Sequence, residues 1–491
     1  MGLSEAPTIT HYFANPVFFP YLYTLFNFMT HNPLNTQIMK NLLIAFIGLL
    51  LIASCKKKDE PIAVDGVTIP LTATVAVNLT VKLTPTVTPE NAADKSVTWI
   101  SSEPNIAAVA DDGTVTGKSP GTAVIKATSK SNPDKSATCT VTVVSADVTV
   151  SAITLGNENI PVTVPAAGET AALTNAPRTI FSALAAVKVT LTVAAGASIK
   201  IGNEAFVNGG TANFNGPVTF TVTAQDGTTV RTYTAAITPY NAETNPYGIY
   251  TAAHLNDVRN DLGASYKMKN DITLPDRNAA GASAVGISDY ATAGWAPIGA
   301  TFIGKFDGGG FSVNNFYINR GGNGGYIGLF GELSGAVRNL GITGSPVAPA
   351  VTGGRYVGAL AGQILRGSVI NNCYAHVAVH SVIEYDEAFA GGLIGKAISG
   401  SSVSNSYSSG NVSGELTGSQ FVEGLNIGGL VGVTGTGVAL SNCFSTGNIS
   451  AVCPKIYGGG LAGRLGAYAG DCTTVNCYAT GNVACTSGGN N

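Results

Sequence analysis

Few residues in this chain have the types and spacing to do chemistry. It holds five histidines, and His376 and His380 stand four apart, the spacing of a zinc-binding pair. That pair works on a helix, with a glutamate after the first histidine, and the stretch HVAVH lacks it. On one strand, residues four apart lie about 13 Å from each other, too far for one metal. The expectation is two exposed strand histidines and no zinc-peptidase site. The densest carboxylate group is Glu384, Asp386 and Glu387, in SVIEYDEAF. A glycan-cleaving enzyme needs two carboxylates flanking one bond. Glu332, Glu415, Glu423 and Asp471 are scattered through the same region, so the cluster reads first as a solvated loop. Gly113 to Ser119 (GTVTGKS) falls one residue short of a phosphate loop. Gly458, Gly460 and Gly463 spell GxGxxG inside a larger repeat, and no GxSxG elbow occurs. No catalytic, cofactor-binding or metal-ligating residue is assigned, and the chain is expected not to be an enzyme and to need no cofactor.

Eight cysteines are Cys55, Cys139, Cys373, Cys443, Cys453, Cys472, Cys477 and Cys485. Cys373, Cys443 and Cys477 each precede an aromatic residue and read as small inward hydrophobes. Cys453, Cys472 and Cys485 fall outside that register, and a disulfide among them is left open.

The elements that must position these residues come from a repeat. The stretch from Tyr326 to Ala484 aligns on Leu329, Leu360, Leu393, Leu430 and Leu461, at spacings of 31, 33, 37 and 31 residues. A second mark is Asn372, Asn405, Asn442 and Asn476, each two residues before Tyr374, Tyr407, Phe444 and Tyr478. Such a period marks a stacked array in which no unit buries its face alone. Each unit holds two short apolar runs, such as GGLVG and SNCFSTGNI, with no helical stripe, so the units are strands. A residue recurring once per coil stacks on itself at about 4.8 Å, and stacked asparagines hydrogen-bond along such a ladder. Glycine is expected to supply corners with positive φ. The fold expected is all-β, with a right-handed parallel β-helix here; a sandwich of hairpins is the rival.

These repeats resemble the GLUG repeat family of bacterial surface proteins, which includes adhesins and some large surface peptidases. Thr251–Leu255, Tyr266–Leu274, Trp295–Gly299 and Phe302–Ile318 follow the pattern that precedes such repeats. The resemblance implies the fold and a surface setting, and leaves the activity open. From the family pattern, Ala252 to Leu262 is expected to be a helix capping the β-helix base. Residues 247–325 would form the cap and first coils, and 326–491 the repeats. The chain stops directly after a full repeat, which reads as a truncation.

Upstream, residues 66–146 show alternating strands, with turns at Asp112-Gly113 and Pro120-Gly121. VTWISSEPNIAAV, DGTVTG, PGTAVI and TCTVTV resemble, in order, the bacterial Ig-like group 2 domain. Trp99 is expected to end a strand and fill the sandwich core. Residues 147–240 read as a second sandwich, Ig-like or cadherin-like. Its strands are Val187–Val193, Val218–Thr223 and Arg231–Ile237, with a hairpin at Asp226-Gly227.

Met39 to Glu60 reads as a signal: Lys40, an apolar run from Leu42 to Ile52, then Ile52-Ala53-Ser54-Cys55. The last four residues resemble the lipobox of bacterial lipoproteins. By that resemblance 39–54 is the signal peptide, Cys55 carries the lipid, and 55–65 is a tether. Lys58-Asp59-Glu60 resembles the export tag of some Gram-negative surface lipoproteins. Residues 1–38 then read as an upstream mis-start. Charged residues make up 11% of the chain, against about 25% in typical domains. The net charge of −3 implies no nucleic-acid partner. The expected protein is a lipid-anchored outer-membrane adhesin or binding protein at the cell surface. Its partners would be the membrane through Cys55, and a glycan or a host or neighbour-cell protein. A carbohydrate-active β-helix enzyme and a structural envelope spacer are the alternatives.

Overall fold

A coil of the repeat is a closed circuit of five short strands. In one coil they are Ala336–Arg338, Gly341–Thr343, Pro349–Gly353, Tyr356–Gly358 and Ala361–Ile364. Each pairs in parallel with its counterpart one coil on: Val337 with Ile370, Ile342 with Ala375, Val351 with Val379, Val357 with Ala390, Ile364 with Ala397. The result, in a computed structural model, is a β-solenoid of five parallel sheets holding eight, seven, six, five and six strands in chain order around the coil. The structure describes Asn41 and residues 60–277, 279, 282–321, 325–345, 347–383, 387–417, 424–467 and 471–486. The signal, Cys55, Glu384, Asp386 and Glu423 lie outside these. The two apolar runs read per unit are in fact five strands. Strands of three to five residues, most of them in this coil separated by two corner residues, merge into longer runs when hydropathy alone is scanned.

Two kinds of corner explain the composition. Between the first and second sheets the chain turns through the left-handed region at Asn339, Asn372, Asn405, Asn442 and Asn476, with φ of 51–54°. Asparagine enters that region at lower cost than most residues with a Cβ. Asparagine therefore shares with glycine the corners expected to be glycine. Glycine takes the left-handed turn between the fifth and first sheets, at Gly367, Gly400 and Gly437. At the sharp fourth-to-fifth corner, Leu329, Leu360, Leu393 and Leu430 point inward and are fully buried. There the glycines serve close approach: a Cβ on Gly395 would lie 2.5 Å from the Gly362 carbonyl oxygen and 2.7 Å from the Val357 nitrogen.

The base of the solenoid is aromatic. Trp295, Tyr266, Phe302, Phe306 and Phe330 are buried, with the Phe302 and Phe330 rings 5.0 Å apart. The Trp295 indole N–H donates to the Leu329 carbonyl at 3.1 Å. The expected cap is shorter than read: an α-helix over Ala252–Asp257, then a 3-10 turn over Val258–Asn260. Thr251 caps it, its hydroxyl accepting from the His254 N–H at 3.2 Å. Leu255 and Val258 enter the solenoid core fully buried, so the helix covers apolar surface that the first coil would expose.

The chain divides into two compact units, and the solenoid belongs to the second. That unit also holds the second sandwich. One sheet contains Val150–Leu155 and Val187–Val193; the other contains Ser198–Ile201, Val218–Thr223 and Val230–Ile237. Strict alternation buries Val218, Phe220 and Val222 on one face. Asp226 closes the hairpin by accepting from the Thr228 and Thr229 N–H groups and the Thr229 hydroxyl. Those bonds, the Thr229 hydroxyl first, pull its carboxyl down to about 2. The first unit holds a sandwich in which Gly121–Ser129 and Ser136–Val144 alternate the same way. Trp99 departs from expectation. It lies mid-strand in Val97–Ser101 and is only partly buried, against Val64, Val67, Val87, Ala92 and Ala127.

Candidate binding face

The second sheet presents three columns to solvent, because strands of period two alternate core and surface. In Tyr374–His376 the middle residue Ala375 is buried, which turns Tyr374 and His376 outward. Tyr374, Tyr407, Phe444 and Tyr478 occupy one register position in successive coils. Their rings are 5.2, 4.6 and 5.1 Å apart between centroids, and within 7° of parallel. Beneath the stack Gly341 replaces an aromatic, and its absent Cβ would sit 2.3 Å from Tyr374 Cζ. Rings stacked this way spend their faces on one another. What they offer a ligand is edges, including the hydroxyls of Tyr374, Tyr407 and Tyr478.

On one side of the stack runs the asparagine ladder. The Asn372 amide donates to Asn339 Oδ1 at 2.8 Å, Asn442 to Asn405 at 3.0 Å, and Asn476 to Asn442 at 3.1 Å. The ladder read from sequence thus extends one coil lower, to Asn339. On the other side stand His376, Ser409, Thr446 and Thr480, with His376 Nδ1 2.8 Å from the Ser409 hydroxyl. Amides, phenol edges and hydroxyls therefore recur at one strand spacing, about 4.8 Å, along the axis. A polymer with repeating hydroxyl groups suits such a surface, through many individually weak bonds.

The sequence-predicted residues scatter. His376 and His380 are not on one strand: a corner at Val377 puts them on Tyr374–His376 and Ala378–Ile383, in different sheets. His380 Nδ1 meets the Ser413 hydroxyl at 2.8 Å, and its Nε2 lies 3.6 Å from Glu415 Oε1. Among the described residues no group of three His, Cys, Asp or Glu side chains could hold a metal. Of the carboxylate cluster only Glu387 is described, and its Oε1 accepts from the Asn426 amide at 3.0 Å. Cys373 and Cys443 are buried thiols. Burial pushes them up to about 12 and about 11, which leaves them un-ionised and inert at neutral pH. Cys477 is only partly buried, and Cys453, Cys472 and Cys485 are thiols.

A second asparagine column escaped the sequence reading. The Asn448 N–H donates to Asn411 Oδ1, and the Asn482 N–H to Asn448 Oδ1, each at 3.0 Å. The recurring Gly-Asn-Val and Gly-Asn-Ile in SGNV, TGNI and TGNV was its signal. Among the described residues, no helix is long and apolar enough to cross a membrane.

Known proteins resemble parts of this chain. Residues 63–141 match the bacterial Ig-like domain (group 2) family. A protein of Evansella cellulosilytica, provisionally named a Gly-rich membrane protein, is 42% identical over 130 residues, 24% of this chain and 13% of that protein. An alpha-L-arabinofuranosidase of Bifidobacterium longum is 59% identical over 49 residues, 10% of this chain and 5% of that enzyme. The chain therefore spans a small fraction of the curated relatives it matches. Among solved structures, a protein of Bacteroides ovatus provisionally named an immunoglobulin A1 protease aligns at 22% identity, over 50% of this chain and 78% of its own, with a TM-score of 0.35.

Proposed function

We propose that this chain is a bacterial cell-surface binding protein whose solenoid engages a glycan along the three-column face. The carrying observation is that outward register of stacked aromatic edges between an amide ladder and a hydroxyl column. The Ig-like group 2 match supports a surface setting, as does the relative named for a membrane. The segment shared with an arabinofuranosidase supports a glycan ligand; at 5% of that enzyme's length it does not extend to its activity. In this reading Cys55 carries a lipid anchor in the outer membrane of a Gram-negative cell, and the chain binds without turning its ligand over. The GLUG-type character of the repeats belongs to the same proposal.

The test is a glycan array probed with the full chain beside Tyr407→Phe. Phenylalanine already occupies this column at Phe444, so the variant keeps the stack and removes one hydroxyl edge. Loss of one hydrogen bond, about 1 kcal/mol, predicts roughly fivefold weaker binding to the preferred glycan. A blank array across neutral and acidic glycans would sink the reading.

A further inference from the structure

At the foot of the same unit, the outer face of the first sheet meets the segment Ala242–Pro246 and encloses a groove of about 370 Å3. That volume lies in the range of small-ligand sites, which favour junctions between modules. The floor is set by strand register: Lys267 pairs with Asp307, Asp307 with Arg338, and Arg338 with Asn371. Each groove carboxylate already has its cation. Asp307 accepts from the Arg338 guanidinium at 2.9 Å, from the Asn339 amide at 3.0 Å and from the Gly309 N–H at 2.9 Å. Glu243 is held by Lys305 across the groove.

One cation is left over. The Lys267 side chain stands outward and partly buried, with no hydrogen-bond or ion-pair partner among the described residues. Two residues on, the Lys269 ammonium donates to the Asn175 side-chain oxygen at 3.1 Å. Burial, and then the neighbouring Lys267 charge, push the Lys269 amine downward. Lys267 lines a groove whose anions are already committed, with the Lys269 charge near it, an arrangement that an incoming anion relieves.

We infer that this groove, between Asn175, Glu243 and the Lys267–Arg338 floor, is a subsite for an anionic sugar unit, with Lys267 as its charge partner. The inference rests on the glycan reading and names a class within it: a sugar bearing a carboxylate or a sulfate. Asn371 lines the groove beside it, its amide donating to the Ser404 hydroxyl at 2.7 Å.

The full chain is titrated with polygalacturonate (carboxylated), dextran sulfate (sulfated) and dextran (neutral), as wild type, Lys267→Gln and Lys267→Glu. The expected result is binding to at least one anionic polymer, weakened about tenfold by Lys267→Glu and less by Lys267→Gln, with melting temperatures unchanged. Binding to polygalacturonate alone assigns a carboxylated unit, and binding to dextran sulfate alone a sulfated one. If both variants bind as wild type does, or dextran competes equally, the groove assignment is overturned while the glycan reading stands. If no polymer binds here and the array is blank, both fall.

Discussion

The second sandwich and the solenoid solve the same problem, a backbone corner with positive φ, with different residues. Most such corners in the sandwich are glycine: Gly156, Gly168, Gly196, Gly202, Gly209 and Gly227. The solenoid uses asparagine at the corner it repeats most regularly. A hairpin turn has nothing above it, so the freedom of glycine is enough. A solenoid corner has a copy of itself one coil away. An asparagine there tolerates the left-handed turn and also bonds its neighbour's amide. Repetition turns a local conformational need into a cooperative column. Glycine is kept in the solenoid for the turn between the fifth and first sheets, at Gly367, Gly400 and Gly437, and for places where backbones nearly touch.

The largest predicted effect probes that division of labour. A Cβ on Gly432 would fall 2.5 Å from the Gly395 carbonyl oxygen and 2.7 Å from the Ala390 nitrogen, both backbone atoms that cannot yield. Gly432→Ala should cost about 3 kcal/mol or more. At Gly227, φ is +73° and nothing lies within 4 Å, so Gly227→Ala should cost only about 1 kcal/mol. Chemical denaturation of the two variants, followed by hydrogen exchange in each region, separates them. Equal costs would break the distinction.

The next effect concerns the junction of the two regions within their unit. His254 is 3% exposed. Its Nδ1 accepts from the Tyr250 N–H at 3.3 Å, which places its proton on Nε2, 3.4 Å from Glu158 Oε1. Burial lowers its pKa, and the opposing pull of Glu158 does not restore it. Asp257, the other acidic neighbour, is engaged by Arg178, whose guanidinium donates to it at 2.8 and 2.5 Å. Because the folded value is depressed, the unfolded chain takes up the proton first. Stability is therefore full above about pH 6.5 and falls as pH drops below it, by at most about 1.4 kcal/mol per pH unit. Melting curves from pH 7.5 to 5 should show this loss in wild type and a smaller one in His254→Asn, whose side-chain oxygen can still accept from Tyr250. An identical slope in both would remove His254 from the account.

The smallest effect tests the ladder itself. Asn442→Gly keeps the left-handed corner and loses ladder bonds, a cost of about 1 kcal/mol. Asn442→Ala loses both and should cost about 1 kcal/mol more. Should the alanine variant prove as stable as the glycine one, the corner conformation has been overvalued.

Much of this fold was legible because each coil states its register again. Leu360, Leu393 and Leu430 marked the buried corner, and Asn372, Asn405, Asn442 and Asn476 marked the exposed one. The corner at Val377 was not legible: it divides two histidines that spacing alone assigns to one strand. The groove was hidden for the opposite reason. Lys267, Asp307 and Arg338 lie in the lowest coils, where the repeat is least regular, and only parallel register brings them together. Trp99 shows the limit of composition. A tryptophan in a sandwich strand need not be central, and this one packs at the margin of its core.

The central claim is that the solenoid is displayed as a binding head outside the cell. The most direct test is protease treatment of intact cells, followed by immunodetection of the solenoid. The account predicts loss of the solenoid signal while a cytoplasmic marker stays intact. Full protection of the solenoid, with cleavage only after lysis, would contradict it.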